Sequence, residues 1–251
     1  MDSNTQTLDT PSPGRRLLRA AATGSAAVGS VLPLTAGFPA SSAPAPAPPA
    51  ETEAAAGPVS PQEALRRLTA GNRRWRTYAQ EHPHESAFLR LRLTRTQQPF
   101  AVVLGCVDSR VPPELVFDQG LGDLLTVRSA GEVLDEAVLG SVAFGVLELE
   151  VPLVLVLGHQ SCEAVGAAVH ADGSGEPLPA HLRYLADRIR PSVDHTRQGE
   201  ARIDATIDAH ARRTRDLLAA EPDFARRISD GRLAIVAARY GLRDPRVRTL
   251  A

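Results

Sequence analysis

Two short stretches hold the residues able to do chemistry. Gly105-Cys106-Val107-Asp108-Ser109-Arg110 sets a thiol, a carboxylate and a guanidinium close together. Gly158-His159-Gln160-Ser161-Cys162 adds an imidazole and a second thiol, and these are the chain's 2 cysteines. Two thiolates and one imidazole make a three-ligand set. For zinc, three protein ligands with an open fourth position is the catalytic pattern, whereas closed four-ligand sites are structural. Each motif alone has a plainer reading. A lone cysteine is more often a small buried hydrophobe, and Asp-x-Arg is usually an ordinary ion pair. Both cysteines together, with His159 three residues before Cys162, favour a single metal site.

Each stretch directly follows an apolar run. Phe100-Ala101-Val102-Val103-Leu104 lies between Pro99 and Gly105, and Leu153-Val154-Leu155-Val156-Leu157 precedes Gly158. Short apolar runs of this kind read as buried parallel strands. Two more strands are expected over Leu124–Val127 and Leu233–Ala238. Ser60-Pro61-Gln62-Glu63 forms a capping box that opens a helix to about Asn72, followed by Trp75 and Tyr78 as packing anchors. A helical period runs from Leu134 to Glu150, and further helices are expected from Cys162, over Ala180–Arg190 and over Ile203–Ala219. Strands alternating with helices imply an α/β fold with a mostly parallel four-stranded sheet. With strand order 2-1-3-4, the crevice at the switch point falls between Cys106 and His159.

The chain has 251 residues and a net charge of −1, which gives no ground for a nucleic-acid partner or a polybasic membrane surface. Its 2 cysteines cannot build a disulfide framework. Residues 1–57 read as a leader rather than fold. Arg15-Arg16 precedes the small-residue apolar stretch Ala20–Leu34, as in a twin-arginine export signal, and a Pro/Ala-rich linker follows from Ser41. The stretch is too short for a membrane span, and no cysteine follows it for a lipid anchor, so no stable membrane anchor is expected. Export to the envelope or beyond suits a protein folded around its metal first, since occupancy protects the sulfurs from oxidation. The folded domain is expected over residues 58–251.

These residues resemble the β-class carbonic anhydrases. The likeness rests on Cys106-x-Asp108-x-Arg110 followed by His159-x-x-Cys162. It continues through Gln97-Gln98-Pro99-Phe100, Val111–Gly120, Asp135–Ser141 and Glu63–Asn72, and spans roughly residues 58–245. The resemblance implies a sheet extended across a homodimer, or a higher homo-oligomer. It implies one zinc per chain on Cys106, His159 and Cys162, with Asp108 and Arg110 as the dyad beside it and Gln97 lining the substrate pocket. The implied reaction is reversible hydration of carbon dioxide to bicarbonate by zinc-bound hydroxide, which Asp108 orients while Arg110 keeps it ionised. Some relatives close the site with the aspartate and carry Trp three residues before the first cysteine; Val103 stands there, so an open site is expected. Departures are Glu163, Glu132 and the Ala237-Ala238-Arg239-Tyr240 stretch. Glu163 reads as a solvated carboxylate at a helix N-terminus, in preference to an added anion near the metal that raises the water's pKa or relays protons. The competing readings are hydrolysis of carbonyl sulfide or carbon disulfide on the same site, and a non-catalytic secreted zinc-binding module.

Overall fold

The two apolar runs become the centre of a sheet. The computed structural model describes residues 59–251. The export signal and linker read over residues 1–57 lie outside the described residues. β1 (Ala101–Cys106) and β3 (Leu153–His159) are buried along their whole lengths and pair in parallel, Val102 with Val154 through Gly105 with Leu157. β2 (Leu124–Ser129) flanks β1, and β4 (Ala234–Tyr240) flanks β3, both in parallel. The expected order 2-1-3-4 is present, and the sheet is one strand wider. β5 (Val247–Leu250) adds antiparallel to β4, giving β2-β1-β3-β4-β5. The sequence conceals β5 because Val247-Arg248-Thr249-Leu250 is short and half polar, and it is ordered by the free edge of β4 rather than by its own burial.

The helices are α1 (Pro61–Arg76), α2 (Ala87–Arg92), α3 (Pro113–Val116), α4 (Glu136–Ala143), α5 (Glu163–Ser174), α6 (Ala180–Ile189), α7 (Gly199–Ala220) and α8 (Pro222–Ser229). Alternation along β1 and β3 gives the sheet two apolar faces. Val102, Leu104, Val154 and Val156 pack against Val138 and Val142 of α4, Ala211 and Leu218 of α7 and Phe224 of α8. Ala101, Val103, Leu155 and Leu157 pack against Ala64 and Leu68 of α1 and against Val116 and Phe117. Helices therefore cover both faces, as a parallel sheet requires. The period read from Leu134 to Glu150 resolves into α4 and a π-helical turn, Phe144–Glu148. Among the described residues, no helix is long and apolar enough to cross a membrane.

α1 starts as its cap dictates: Ser60 Oγ accepts from the Glu63 N–H at 3.2 Å. It runs past Asn72, whose side chain donates to the Val116 and Pro245 carbonyls at 3.1 and 3.0 Å and accepts from the Val247 N–H at 2.9 Å. Gly71 lets this contact form, because a Cβ there would stand 1.7 Å from the Phe117 carbonyl oxygen. Trp75 anchors as expected, with its indole N–H donating to Tyr240 Oη at 3.0 Å. Tyr78 does not; it follows the helix end with φ 55° and is 90% exposed.

One buried histidine gives the fold a pH dependence. His210 of α7 is buried, with Nδ1 3.3 Å from Ser192 Oγ. Burial pushes its pKa down from 6.5 to about 4. The unfolded chain takes up that proton near pH 6.5, while the folded chain resists until about pH 4. The contribution is complete above pH 6.5 and is lost as the pH falls toward 4, by roughly 1.4 kcal/mol per pH unit and about 3 kcal/mol in all. Urea unfolding of His210→Gln between pH 7 and 4.5 should show this acid slope removed; an unchanged slope would assign it to other groups.

Candidate metal centre

The sheet delivers its polar residues to one place. Cys106 ends β1, His159 ends β3, and Cys162 is the N-cap of α5. The switch point thus brings together residues 56 positions apart, with the two Sγ atoms 3.9 Å from each other. The ligand atoms of Cys106, His159 and Cys162 all lie within 4.8 Å of one another, and all three residues are buried. His159 is turned by its own neighbour: Nδ1 lies 3.0 Å from the Gln160 carbonyl oxygen. A proton on Nδ1 leaves Nε2 as the bare nitrogen, and Nε2 is buried with no hydrogen-bond partner.

This donor set fits zinc. Two ligand sulfurs about 2.3 Å from a tetrahedral ion stand about 3.8 Å apart, which matches the observed spacing. An unpartnered buried imidazole nitrogen facing two thiols is otherwise costly. The thiols also suit a cation. Cys106 is held well below the usual thiol range, first by the hydrogen bond shared with Cys162 and then by His159 and the Gly131 N–H, which donates to Sγ at 3.3 Å. Cys162 is pushed up by that same shared bond and by burial. The pair gives up its first proton readily and its second only to a cation, so metal uptake releases protons.

The dyad forms at the mouth. Arg110 Nε donates to Asp108 Oδ1 at 2.9 Å and Nη2 to Oδ2 at 2.6 Å, a two-point fork. Nη2 also donates to the Ser161 carbonyl at 3.2 Å, tying the two ligand-bearing turns together. The Arg110 bonds hold Asp108 down at about 2, so it is ionised. Its Oδ2 is 3.9 Å from His159 Nε2, beside the donor cluster rather than within it.

Other residues meet this site without having been singled out for it. Arg128 of β2 donates from Nε to the Cys106 carbonyl at 2.8 Å and from Nη2 to the Asp108 carbonyl at 2.7 Å, clamping the turn that carries both. Only the β1–β2 register, which sets Arg128 opposite Gly105, could have revealed it. Glu163 is exposed on the first turn of α5 and acts electrostatically on Arg110, in keeping with a solvated carboxylate. Gln97 is not brought to the cluster within the chain. It is exposed before β1, in a groove with Arg90, Leu93 and Leu121, whereas Cys106 is at that strand's other end.

Glu132 differs most from its sequence appearance. It is 1% exposed, adopts φ 51° in the 3₁₀ turn Ala130–Glu132, and its Oε1 has no hydrogen-bond partner. Burial, then the charge of Cys106, raises its pKa well above the usual carboxylate value. A raised folded-state pKa contributes stability below about pH 4.5 that is lost as the pH rises. Glu132→Gln should therefore stabilise the metal-free chain at pH 8 by about 1–3 kcal/mol. Thermal melts should show that gain vanish by pH 4, and a gain independent of pH would refute this account.

The comparisons with known proteins agree with this geometry. The carbonic anhydrase family model matches residues 101–247. Carbonic anhydrase 2 of Mycobacterium tuberculosis is 43% identical over 190 residues, covering 75% of this chain and 92% of that protein. This chain belongs to the β-carbonic anhydrase family. The carbonic anhydrase of Mycolicibacterium smegmatis is 42% identical over 190 residues, with the same 75% and 92% coverage. Among solved structures, the β-carbonic anhydrase CcaA shares the fold at TM-score 0.60 and 23% identity, over 74% of this chain and 86% of that one. A tetrameric β-carbonic anhydrase of Sordaria macrospora does so at 0.61 and 17%, over 74% and 96%. The α/β sheet flanked by helices is thus the β-carbonic anhydrase fold, and the Cys106–His159–Cys162 cluster stands at its strand ends.

Proposed function

We propose that this chain binds one zinc ion through Cys106, His159 and Cys162 and interconverts carbon dioxide and bicarbonate there. The observation that carries the reading is three buried ligand atoms within 4.8 Å of one another, with an ionised Asp108 at their edge, in a carbonic anhydrase family chain. Zinc in such a site lowers the pKa of a coordinated water and supplies a nucleophile near neutral pH. The remaining work falls to the chain. Asp108 Oδ2, ionised and facing the cluster, would accept a hydrogen bond from the O–H of the nucleophile and so would orient it toward carbon dioxide. Arg110 holds Asp108 ionised and away from the ligand set through its two-point fork. Asp108 is engaged by Arg110 and lies outside the donor cluster, so a site open to water, the expectation drawn from Val103, is part of the proposal.

Stopped-flow hydration of carbon dioxide by the zinc-quantified protein tests this. Rapid bicarbonate formation is the expected result. Sulfide release from carbonyl sulfide without carbon dioxide hydration would change the substrate, and tight zinc with neither reaction would make the chain a non-catalytic zinc-binding module.

A homodimer or larger homo-oligomer is part of the proposal. Among the described residues β2 pairs only with β1, so one edge of the sheet is free. Beside it runs a groove of about 750 Å³ lined by Leu125, Val138 and Phe144, with Phe144 48% exposed. Gln97 would reach a site only from a second chain. Export through Arg15 and Arg16 is likewise proposed from their sequence setting. A double lysine replacement should retain the protein inside the cell; full export of that variant would discard the twin-arginine reading.

A further inference from the structure

We propose that Gln160 is a positioning residue for the metal-facing imidazole, acting through the loop that joins β4 to β5. The inference rests on the zinc reading above. His159 and Gln160 are adjacent, and the orientation of His159 depends on the Gln160 carbonyl, 3.0 Å from Nδ1. That carbonyl can aim the ring only if the Gln160 backbone is itself held. Two sets of bonds hold it. The Gln160 N–H donates to the Tyr240 carbonyl at 2.8 Å, which continues the β3–β4 ladder one step past His159. The side chain then reaches beyond β4, where Oε1 accepts from the Leu242 N–H at 3.0 Å and the Arg243 N–H at 3.2 Å.

The consequence is mechanical. Ser161, next in the chain, has φ 54°, a left-handed conformation that an L-residue holds only when its surroundings impose it. The turn from His159 to Cys162 must therefore be fixed from outside. Arg110 grips it at the Ser161 carbonyl. Gln160 grips it as well, against a loop that is anchored in turn by Asn72 at Pro245 and Val247. A glutamine fits this task because its amide oxygen spans the gap and can accept two N–H groups at once. Without that oxygen two backbone donors lose their partner and the Gln160 backbone is held only by the Tyr240 and Arg110 bonds, so the carbonyl that fixes the Nδ1 proton and aims Nε2 is less firmly placed.

The test is zinc affinity, by competition with a chromophoric chelator, together with the ¹⁵N resonances of the His159 ring. Gln160→Leu keeps the volume and removes the acceptor. It should weaken zinc binding about 10–100-fold, the usual cost of losing an outer partner of a metal-bound histidine. In the metal-free chain it should also shift the His159 Nδ1 resonance toward exchange between tautomers. Gln160→Asn, one methylene too short, should weaken binding in the same direction, and Gln160→Glu, which keeps an acceptor oxygen at full reach, should restore it. Variants that melt earlier yet bind zinc with wild-type affinity and an unaltered His159 resonance would reduce Gln160 to a structural residue and overturn the inference. A wild-type chain that takes up no zinc would instead overturn the zinc reading on which it stands.

Discussion

Asp108→Asn is expected to keep its zinc and lose about 10²–10⁴-fold in carbon dioxide hydration, the usual cost of removing a positioned acid–base partner. The geometry separates these two effects. Asp108 is outside the three-atom donor cluster, so Cys106, His159 and Cys162 remain to hold the ion. What the substitution removes is charge and acceptor capacity at the mouth. Arg110 now grips both carboxylate oxygens, at 2.9 and 2.6 Å. An asparagine can offer it one oxygen, and its amide then turns a donor toward the place where an acceptor is needed. Zinc quantification beside stopped-flow kinetics reads both quantities. Full activity would make the dyad a structural ion pair, and loss of zinc would make Asp108 a ligand and the site closed.

Cys162→Ser is expected to fail one step earlier. Structural zinc held by four protein ligands is worth roughly 10–16 kcal/mol, or about 2.5–4 kcal/mol per ligand, so loss of one of the three ligands here should weaken binding about 10²–10³-fold. The two sulfurs are 3.9 Å apart, and a serine hydroxyl cannot replace a thiolate that ionises against a shared proton. Elemental analysis after dialysis should find the metal depleted, and hydration should fall in proportion to it. Undiminished zinc in this variant would remove Cys162 from the ligand set. The contrast with Asp108→Asn is diagnostic, since one variant loses metal and the other only rate.

The other expectations concern what surrounds these groups. His210 and Glu132 are both buried ionisable groups that fold neutral, but their signs oppose. His210 weakens the fold as pH falls below 6.5, and Glu132 weakens it as pH rises above 4.5. Both pack near the Gly131 turn that donates an N–H to Cys106.

The sequence by itself determined the strands that carry the site and the residue types within it. Five consecutive apolar residues between Pro99 and Gly105 are too short for a buried helix and read as a central strand buried on both faces, and the five before Gly158 read alike. Cysteine and histidine just past two such strands, in an alternating α/β chain, already pointed to one crevice. The tertiary structure alone decided the rest, because the remaining signals are relational. Arg128 is an ordinary exposed arginine until the parallel register sets it beside the Cys106 turn. β5 has too few apolar residues to announce itself and exists because β4 has a free edge. Glu132 stands out in the sequence only as a departure from the family pattern, yet a left-handed turn carries it into the interior, and Gln97, one strand-length from Cys106, stays away from the cluster within its own chain. Hydrophobic periodicity reports which residues leave water; it does not report which polar groups a neighbouring strand or turn will bring against them.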